Sequence, residues 1–211
     1  MNQVQFYFIE QHFREGLMFQ TNPEWIKIRK GRVTGTDIKA LYQKSDSEGY
    51  QDLVGRIAIE RATDIIFQEK RITDAMERGL EYEDEARQAF MTQTGKNVAE
   101  IGFIGLGDKA GFSPDGVILD EHETLEIKIP LPENFVSMCM GKAEKTYSKQ
   151  CLWGLKVLGY KTCNLWIYSP ELRKGHLIRI DTDPDFNNEC DQKLTEIEAE
   201  ITKQVEFLKG M

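Results

Sequence analysis

The sequence predicts an α/β domain in which a mixed β-sheet is flanked by helices. Three observations carry that expectation. Helix signals recur at about 52–69, 73–93, 142–158 and 188–208, the second and third of them ended by Gly95 and Gly159. Short apolar runs bounded by turn residues lie among them, at 98–107, 112–119, 125–129, 162–168 and 176–181. No glycine-rich nucleotide loop joins a strand to a helix, which argues against a doubly wound fold.

The elements follow in order. Residues 4–13 read as a short apolar helix or an extended arm. Asn22 and Pro23 read as the cap and first position of a short helix carrying Trp25 and Arg29, which Gly31 interrupts. Thr34 with Asp37 three residues later signals a second capped helix whose Ile38 and Leu41 face inward. Gln43 to Tyr50 is polar and reads as a surface loop, followed by a helix from Asp52 to Glu69. The next helix runs from Thr73 to Gln93, with Gly95 placed to end it.

After the strand at 98–107, Phe112–Leu119 and Leu125–Ile129 read as two strands joined by a turn at Asp120–Thr124, the second stopped by Pro130. A helix from Lys142 to Leu158 ends at Gly159. Strands Thr162–Tyr168 and His176–Asp181 flank a turn around Pro170 and Gly175. The last helix, Asn188–Leu208, carries Cys190, Leu194, Ile197, Ile201, Val205 and Leu208 on one stripe. With no internal repeat or break in composition, residues 1–211 read as a single domain.

The composition is ordinary for a globular chain, with 40% hydrophobic and 29% charged residues. The four cysteines, Cys139, Cys151, Cys163 and Cys190, form no CxxC pair and share no metal-site spacing with a histidine, so free and mostly buried thiols are expected. The apolar cluster Phe6 to Ile9 is too short for a signal peptide, and no apolar run reaches membrane-spanning length. A net charge of -8 argues against a protein that coats nucleic acid with a generally basic surface. On composition alone, a small-molecule enzyme is the first expectation.

The segment LEIKIP changes that expectation. On a strand, Leu125, Ile127 and Ile129 share one face, while Glu126 and Lys128 share the other, about 6–7 Å apart. Alone, this pattern is most simply a half-solvated edge strand with a charge pair. In GFSPDGVI, however, Gly111, Pro114 and Gly116 shape a particular backbone path around Asp115, and a hairpin would bring Asp115 beside Glu126. Two carboxylates in one site repel, and a hard divalent cation or a shared proton relieves the repulsion. Lys128 points to phosphate chemistry, where an ammonium aligns or helps deprotonate the attacking water.

Glu83 falls inside a stripe formed by Met76, Leu80, Ala86 and Phe90, an unusual position for an unpaired carboxylate. Metal coordination and an i,i+4 pair with Arg87 are the competing explanations. Trp25, Arg29, Gly31, Thr34 and Thr36 form a candidate phosphate-recognition element, since arginine binds phosphate with two parallel hydrogen bonds. The ordinary alternative is a capping threonine beside a solvated arginine. Tyr147, Gln150 or Cys151, and Gly154 lie on one side of their helix, where the glutamine can reach a nucleotide or a ligating carboxylate, or simply occupy a helix surface.

Five segments in this order and spacing, WIKIRKGRVTGTD, GLEYEDEAR, GFSPDGVI, LEIKIP and TYSKQCLWGLKVLG, resemble the lambda-exonuclease or YqaJ-type phage recombinases of the PD-(D/E)xK nuclease superfamily. The resemblance spans Trp25 to Tyr168 and implies a restriction-endonuclease-like core. It further implies a processive 5′-to-3′ exonuclease on linear double-stranded DNA that releases 5′-mononucleotides and leaves 3′ single-stranded overhangs for strand annealing. Metal ligation is carried to Glu83, Asp115, Glu126 and the carbonyl of Ile127, and a water-orienting role to Lys128. The 5′-phosphate contacts fall on Arg29, Thr36 and Ser113, while Tyr147 and Gln150 match the family's YxxQ segment and, with Thr34 and Trp25, support the site.

The implied cofactor is Mg²⁺, two ions per site, with Mn²⁺ able to substitute. Implied partners are double-stranded DNA ends, two further copies in a ring-shaped homotrimer, and a phage-type single-strand annealing protein, with no membrane. The implied location is the cytoplasm of a bacterial host, for a gene of phage or prophage origin. A ring would reconcile net acidity with a DNA substrate, because only its lumen needs positive charge. This chain departs from the family pattern at Gly35 and Thr36, where alanine and serine are usual, and around Lys44, where no second phosphate-contacting base is assigned. A restriction-like or repair endonuclease and a non-enzymatic DNA-binding module remain the alternative readings.

Overall fold

The computed structural model describes residues 23–67 and 73–211, so the expectation for residues 4–13 lies outside it. The chain resolves into two compact units, neither continuous in sequence. The first comprises the described parts of 1–68, together with 102–113 and 183–211; the second comprises the described parts of 69–101, together with 114–182.

In the first unit, α1 (Pro23–Arg29) starts at its proline as expected, and Gly31 beyond it adopts φ +70. Its amide donates to buried Glu60 (2.9 Å) and its carbonyl accepts from Arg61 (2.7 Å), so the left-handed turn is clamped from both sides. The Thr34/Asp37 signal caps a 3₁₀ turn, Gly35–Asp37, which continues into α2 (Ile38–Leu41) with Ile38 and Leu41 buried. Helix α3 (Glu48–Ala62) begins four residues before its expected start, because Ser47 accepts from the Tyr50 amide as an N-cap. It ends seven residues before its expected end. There Thr63 turns extended and its hydroxyl donates to the Ile59 carbonyl. A short hairpin, β1 (Ile104–Leu106) and β2 (Ala110–Phe112), and the long helix α7 (Pro184–Lys209) complete this unit. Helix α7 packs Ile197 and Ile201 inward, and its Glu198 holds Arg61 through two bonds of 2.7 and 2.9 Å.

The second unit opens with α4 (Asp74–Thr94), capped by Thr73 and ended by Gly95 at φ +74 as the sequence indicates. Its sheet has the order β3 (Gly116–Ile118), β4 (Glu123–Lys128), β5 (Thr162–Ser169), β6 (Lys174–Asp181). The β3/β4 and β5/β6 pairs are antiparallel and β4/β5 is parallel, so the sheet is mixed. A parallel neighbour requires a crossover. Here it consists of α5 (Pro132–Ser137), a π turn at Met138–Lys142 kinked at Gly141, and α6 (Ala143–Leu158). Helix α5 is absent from the sequence expectation, in which Pro130 only ends a strand; Pro132 opens the helix.

Ala86 and Phe90 of α4 pack against Ile118, Leu125, Ile127, Ile129, Trp166 and Tyr168. Three expectations change here. The other end of the α4 stripe does not join this core: Leu80 is 67% exposed and Met76 is exposed too. The expected strand at 112–119 is two, since β2 ends at Phe112, β3 begins at Gly116, and Pro114 between them lacks an amide for a ladder. Likewise 98–107 contributes only a single bridge at Ala99 and the three residues of β1. The four cysteines are free, with Cys151, Cys163 and Cys190 buried.

Trp166 is fully buried beneath Gly175 of the neighbouring strand, where an added Cβ would lie 2.0 Å from the indole. Gly175 has no positive φ, so its requirement is purely steric. Gly175→Ala should therefore lower unfolding free energy by roughly 1–3 kcal/mol through overpacking. Urea denaturation would show this as a lower midpoint; an unchanged midpoint would mean that the indole moves aside freely.

Candidate active site

The antiparallel register pairs Gly116 with Leu125, so the next step along the hairpin sets Asp115 opposite Glu126. The expected juxtaposition is present. Asp115 Oδ2 accepts from the Ile127 amide at 2.7 Å, tying the end of β3 to the end of β4. Glu126 is 1% exposed, although its strand had read as half-solvated, because α6 covers that face. From α6, Gln150 donates to Glu126 Oε1 at 2.6 Å, and the Lys128 ammonium bonds the same oxygen. Lys128 also sits over the Tyr147 ring, 5.0 Å from its centroid.

Glu83 comes to this group from α4. Its Oε1 accepts from Arg87 at 2.6 Å, so the i,i+4 pair raised by the sequence is real. The pairing does not remove Glu83 from the acidic group. Burial first, and then the charge of Asp115, push its carboxyl up to about 7 against the opposing pull of Arg87. Glu126 is likewise pushed up to about 7 by burial, with Asp115 and Glu83 adding to the shift and Lys128 opposing it. Burial alone would lower Lys128, but Glu126 and Asp115 outweigh it and raise the ammonium above its ordinary value. Lys128 is thus held as an ammonium whose N–H groups donate to Glu126.

Glu83, Asp115, Ile127, Lys128 and Tyr147 line one open cleft of about 490 Å³, with Met76 and Leu80 also in its wall. Among the described residues, no group of three or more histidine, cysteine, aspartate or glutamate side chains is arranged to hold a metal ion. The carboxylates are instead drawn onto protein donors: Arg87 for Glu83, the Ile127 amide for Asp115, and Lys128 with Gln150 for Glu126. The chemistry of the set nevertheless fits a hard cation. All three side chains offer carboxylate oxygens, they repel one another, and Glu126 Oε2 is buried with no hydrogen-bond partner.

The other predicted residues gather in the first unit. Ser113 Oγ accepts from both Trp25 Nε1 and Arg29 Nη1, each at 3.1 Å. Trp25 Nε1 is shared with the Gly102 carbonyl at 2.8 Å, and the Arg29 guanidinium stacks 4.2 Å over the indole. With two donors directed at its lone pairs, the Ser113 hydroxyl keeps its own proton to donate. Thr34 Oγ1 lies 3.1 Å from Thr36 Oγ1 and donates to Asp37 at 2.9 Å. Arg29 reaches Thr34 only weakly, at 3.5 Å. Thr36 is exposed.

A family model for the YqaJ-like viral recombinase domain matches residues 24–161. The chain belongs to this family. That places it among the PD-(D/E)xK-type nucleases it resembles in sequence, as an enzyme of the nuclease class. The structure is similar to that of an alkaline exonuclease, LHK-Exo, from Laribacter hongkongensis: 27% identity, TM-score 0.79, covering 89% of this chain and 96% of that one. The complex of LHK-Exo with dAMP matches over the same shares at 26% identity and TM-score 0.78. A phage-related exonuclease from Haemophilus somnus, 13% identical with TM-score 0.64, covers 85% of this chain and 95% of that one, and shares the fold. No curated protein matches the chain.

The raised carboxyls of Glu83 and Glu126 have a consequence for stability. The folded chain binds these protons more tightly than the unfolded chain. Their contribution is therefore fully present below the ordinary carboxylate range and is lost as pH rises through about 7. Asp115→Asn removes the charge that raises both while keeping an oxygen for the Ile127 amide. In chelator-treated protein, the thermal midpoint of this variant should gain on that of the unaltered chain between about pH 5 and pH 8. A midpoint difference that stays constant over that interval would contradict the assignment.

Proposed function

We propose that this chain is a Mg²⁺-dependent exonuclease that degrades one strand of linear double-stranded DNA from its 5′ end, releasing 5′-mononucleotides. The observation that carries the reading is that Glu83, Asp115 and Lys128 line one cleft, with buried Glu126 bonded to Lys128 beside it, in a chain of the YqaJ-like family. The similar Laribacter hongkongensis exonuclease has been solved with dAMP, a nucleotide of the class such a reaction releases.

In this reading Glu83, Asp115, Glu126 and the Ile127 carbonyl hold the divalent cation, two ions in the family's manner, with Mn²⁺ able to replace Mg²⁺. When bound, a hard cation supplies Lewis acidity, neutralising phosphate charge and acidifying water. Lys128 donates to the attacking oxygen or to the phosphate and holds it in line. Gln150 keeps Glu126 from rotating, and Tyr147 limits the path of the Lys128 ammonium. Arg29 and Ser113 bind the terminal 5′ phosphate through an N–H fork and a hydroxyl, with Thr36 as a further donor. Thr34 and Trp25 hold that group in shape. Such contacts recognise an end and read no base edge.

The rest of the reading extends from the same family: a single catalytic domain over residues 1–211, working processively as a ring-shaped homotrimer. It would leave 3′ overhangs for a single-strand annealing protein in a bacterial host's cytoplasm. Among the described residues, no helix is long and apolar enough to cross a membrane.

The test compares linear duplexes bearing 5′ phosphate or 5′ hydroxyl with a covalently closed circle, in Mg²⁺, following labelled 5′ and 3′ ends. Release should proceed from the 5′ side, favour the phosphate, and spare the circle. Arg29→Ala should lose most of that preference, since a charge-assisted hydrogen bond is worth roughly 1.5–3 kcal/mol, about a tenfold to hundredfold effect. Lys128→Ala should slow cleavage about a hundredfold or more. Rapid cutting of the circle, or release from the 3′ end, would overturn the exonuclease polarity.

A further inference from the structure

Arg87 is 5% exposed, and its guanidinium spends its donors in three directions. Nη2 donates to Glu83 Oε1 at 2.6 Å. Nη1 donates to Asp84 Oδ1 at 2.6 Å and lies 3.3 Å from Glu100 Oε1. Nε donates to the backbone carbonyl of Asp115 at 3.1 Å. An i,i+4 pair on a solvated helix would explain the first contact alone. It would not explain burial of the guanidinium or a bond reaching from α4 to the end of β3.

The consequence is that Asp115 is gripped at both ends, its carbonyl by Arg87 and its Oδ2 by the Ile127 amide at 2.7 Å. Glu83 is gripped through one oxygen. Among the described residues, neither Glu83 Oε2 nor Asp115 Oδ1 receives a hydrogen bond, and both residues line the same cleft. We propose that Arg87 is a positioning residue for the divalent-cation site: it fixes the Glu83 carboxylate and the Asp115 backbone relative to each other, leaving one oxygen of each for the ion. This rests on the metal-dependent reading above and adds a residue to it.

The chemistry calls for arginine in particular. Its guanidinium stays charged when buried, and its planar fork sends Nε and the two terminal nitrogens along separate fixed directions. Lysine would keep the charge but could not hold Glu83, Asp84 and the Asp115 carbonyl together. Asp84 and Glu100 are well exposed and help neutralise the guanidinium from outside the cleft, so they are not expected to affect the ion directly.

The experiment uses the full chain and Mn²⁺ as probe. Mn²⁺ affinity is measured without DNA from the electron paramagnetic resonance signal of the free ion, and cleavage is measured at saturating Mn²⁺. Arg87→Lys should stay folded by circular dichroism yet bind Mn²⁺ about tenfold to a hundredfold more weakly. Its kcat should fall while KM for DNA ends holds. In a Glu83→Gln background the same substitution should cost much less, because the principal ligand through which it acts is gone. Asp84→Asn should bind Mn²⁺ like the unaltered chain.

Unchanged Mn²⁺ affinity in Arg87→Lys would overturn the assignment, as would a loss that persists in full beside Glu83→Gln. If Arg87→Lys fails to fold, Arg87→Gln is read through the same cycle. If the unaltered chain neither binds Mn²⁺ nor cuts DNA, the metal-dependent reading falls and takes this inference with it. Normal binding and cleavage by both the unaltered chain and Arg87→Lys would remove only Arg87.

Discussion

The mutual repulsion of Glu83, Asp115 and Glu126 is the constraint around which the second unit is organised. Burying a carboxylate is costly unless it is paired, and three near one another compound the cost. Glu126 bears most of it, being almost completely buried with one oxygen unpartnered. The surrounding structure answers with Lys128 and Gln150 on one side and Arg87 on the other. Burial, and after it the charge of the neighbouring carboxylates, outweighs those donors, so the Glu83 and Glu126 carboxyls sit above their ordinary values.

The fold meets this constraint through a small number of registers. The β3/β4 hairpin sets Asp115 against Glu126, and the alternation of β4 sends Glu126 and Lys128 toward α6 while Leu125 and Ile127 join the core formed with α4. Helix α4 serves both ends of the problem. Ala86 and Phe90 anchor it to the sheet, and one turn earlier Glu83 reaches the acidic group. In the first unit a different charge is managed, with Arg29 stacked on Trp25 and bonded to Ser113. A guanidinium held in that way has its plane and one of its N–H directions fixed by the protein.

Much of this was legible in the sequence, for identifiable reasons. Gly95 and Gly159 mark helix ends because each adopts a left-handed conformation there. Alternation made the face shared by Glu126 and Lys128 readable, and the short turn before it made Asp115 a neighbour. The burial of Glu126 was not readable, since periodicity cannot report that a helix from the β4-to-β5 crossover will cover the polar face. The apolar residues Met76 and Leu80 read as core because the stripe gives phase, but phase does not say how far along a helix its partner sheet extends. Arg87 was visible only as a local partner of Glu83, because its bond to the Asp115 carbonyl joins positions 28 residues apart. The break at 113–115 had its signal in Pro114, which was read as shaping a strand instead of ending one.

The central claim is that the repelling carboxylates of Glu83, Asp115 and Glu126 form a single site for a hard divalent cation. The most direct measurement is the anomalous scattering of Mn²⁺ in crystals of the unaltered chain grown with that ion. The expected result is a peak in contact with oxygens of all three side chains, with none at that position in Asp115→Ala crystals. Well-diffracting crystals grown in saturating Mn²⁺ with no peak in this cleft, or with a peak touching only one of the three, would contradict it.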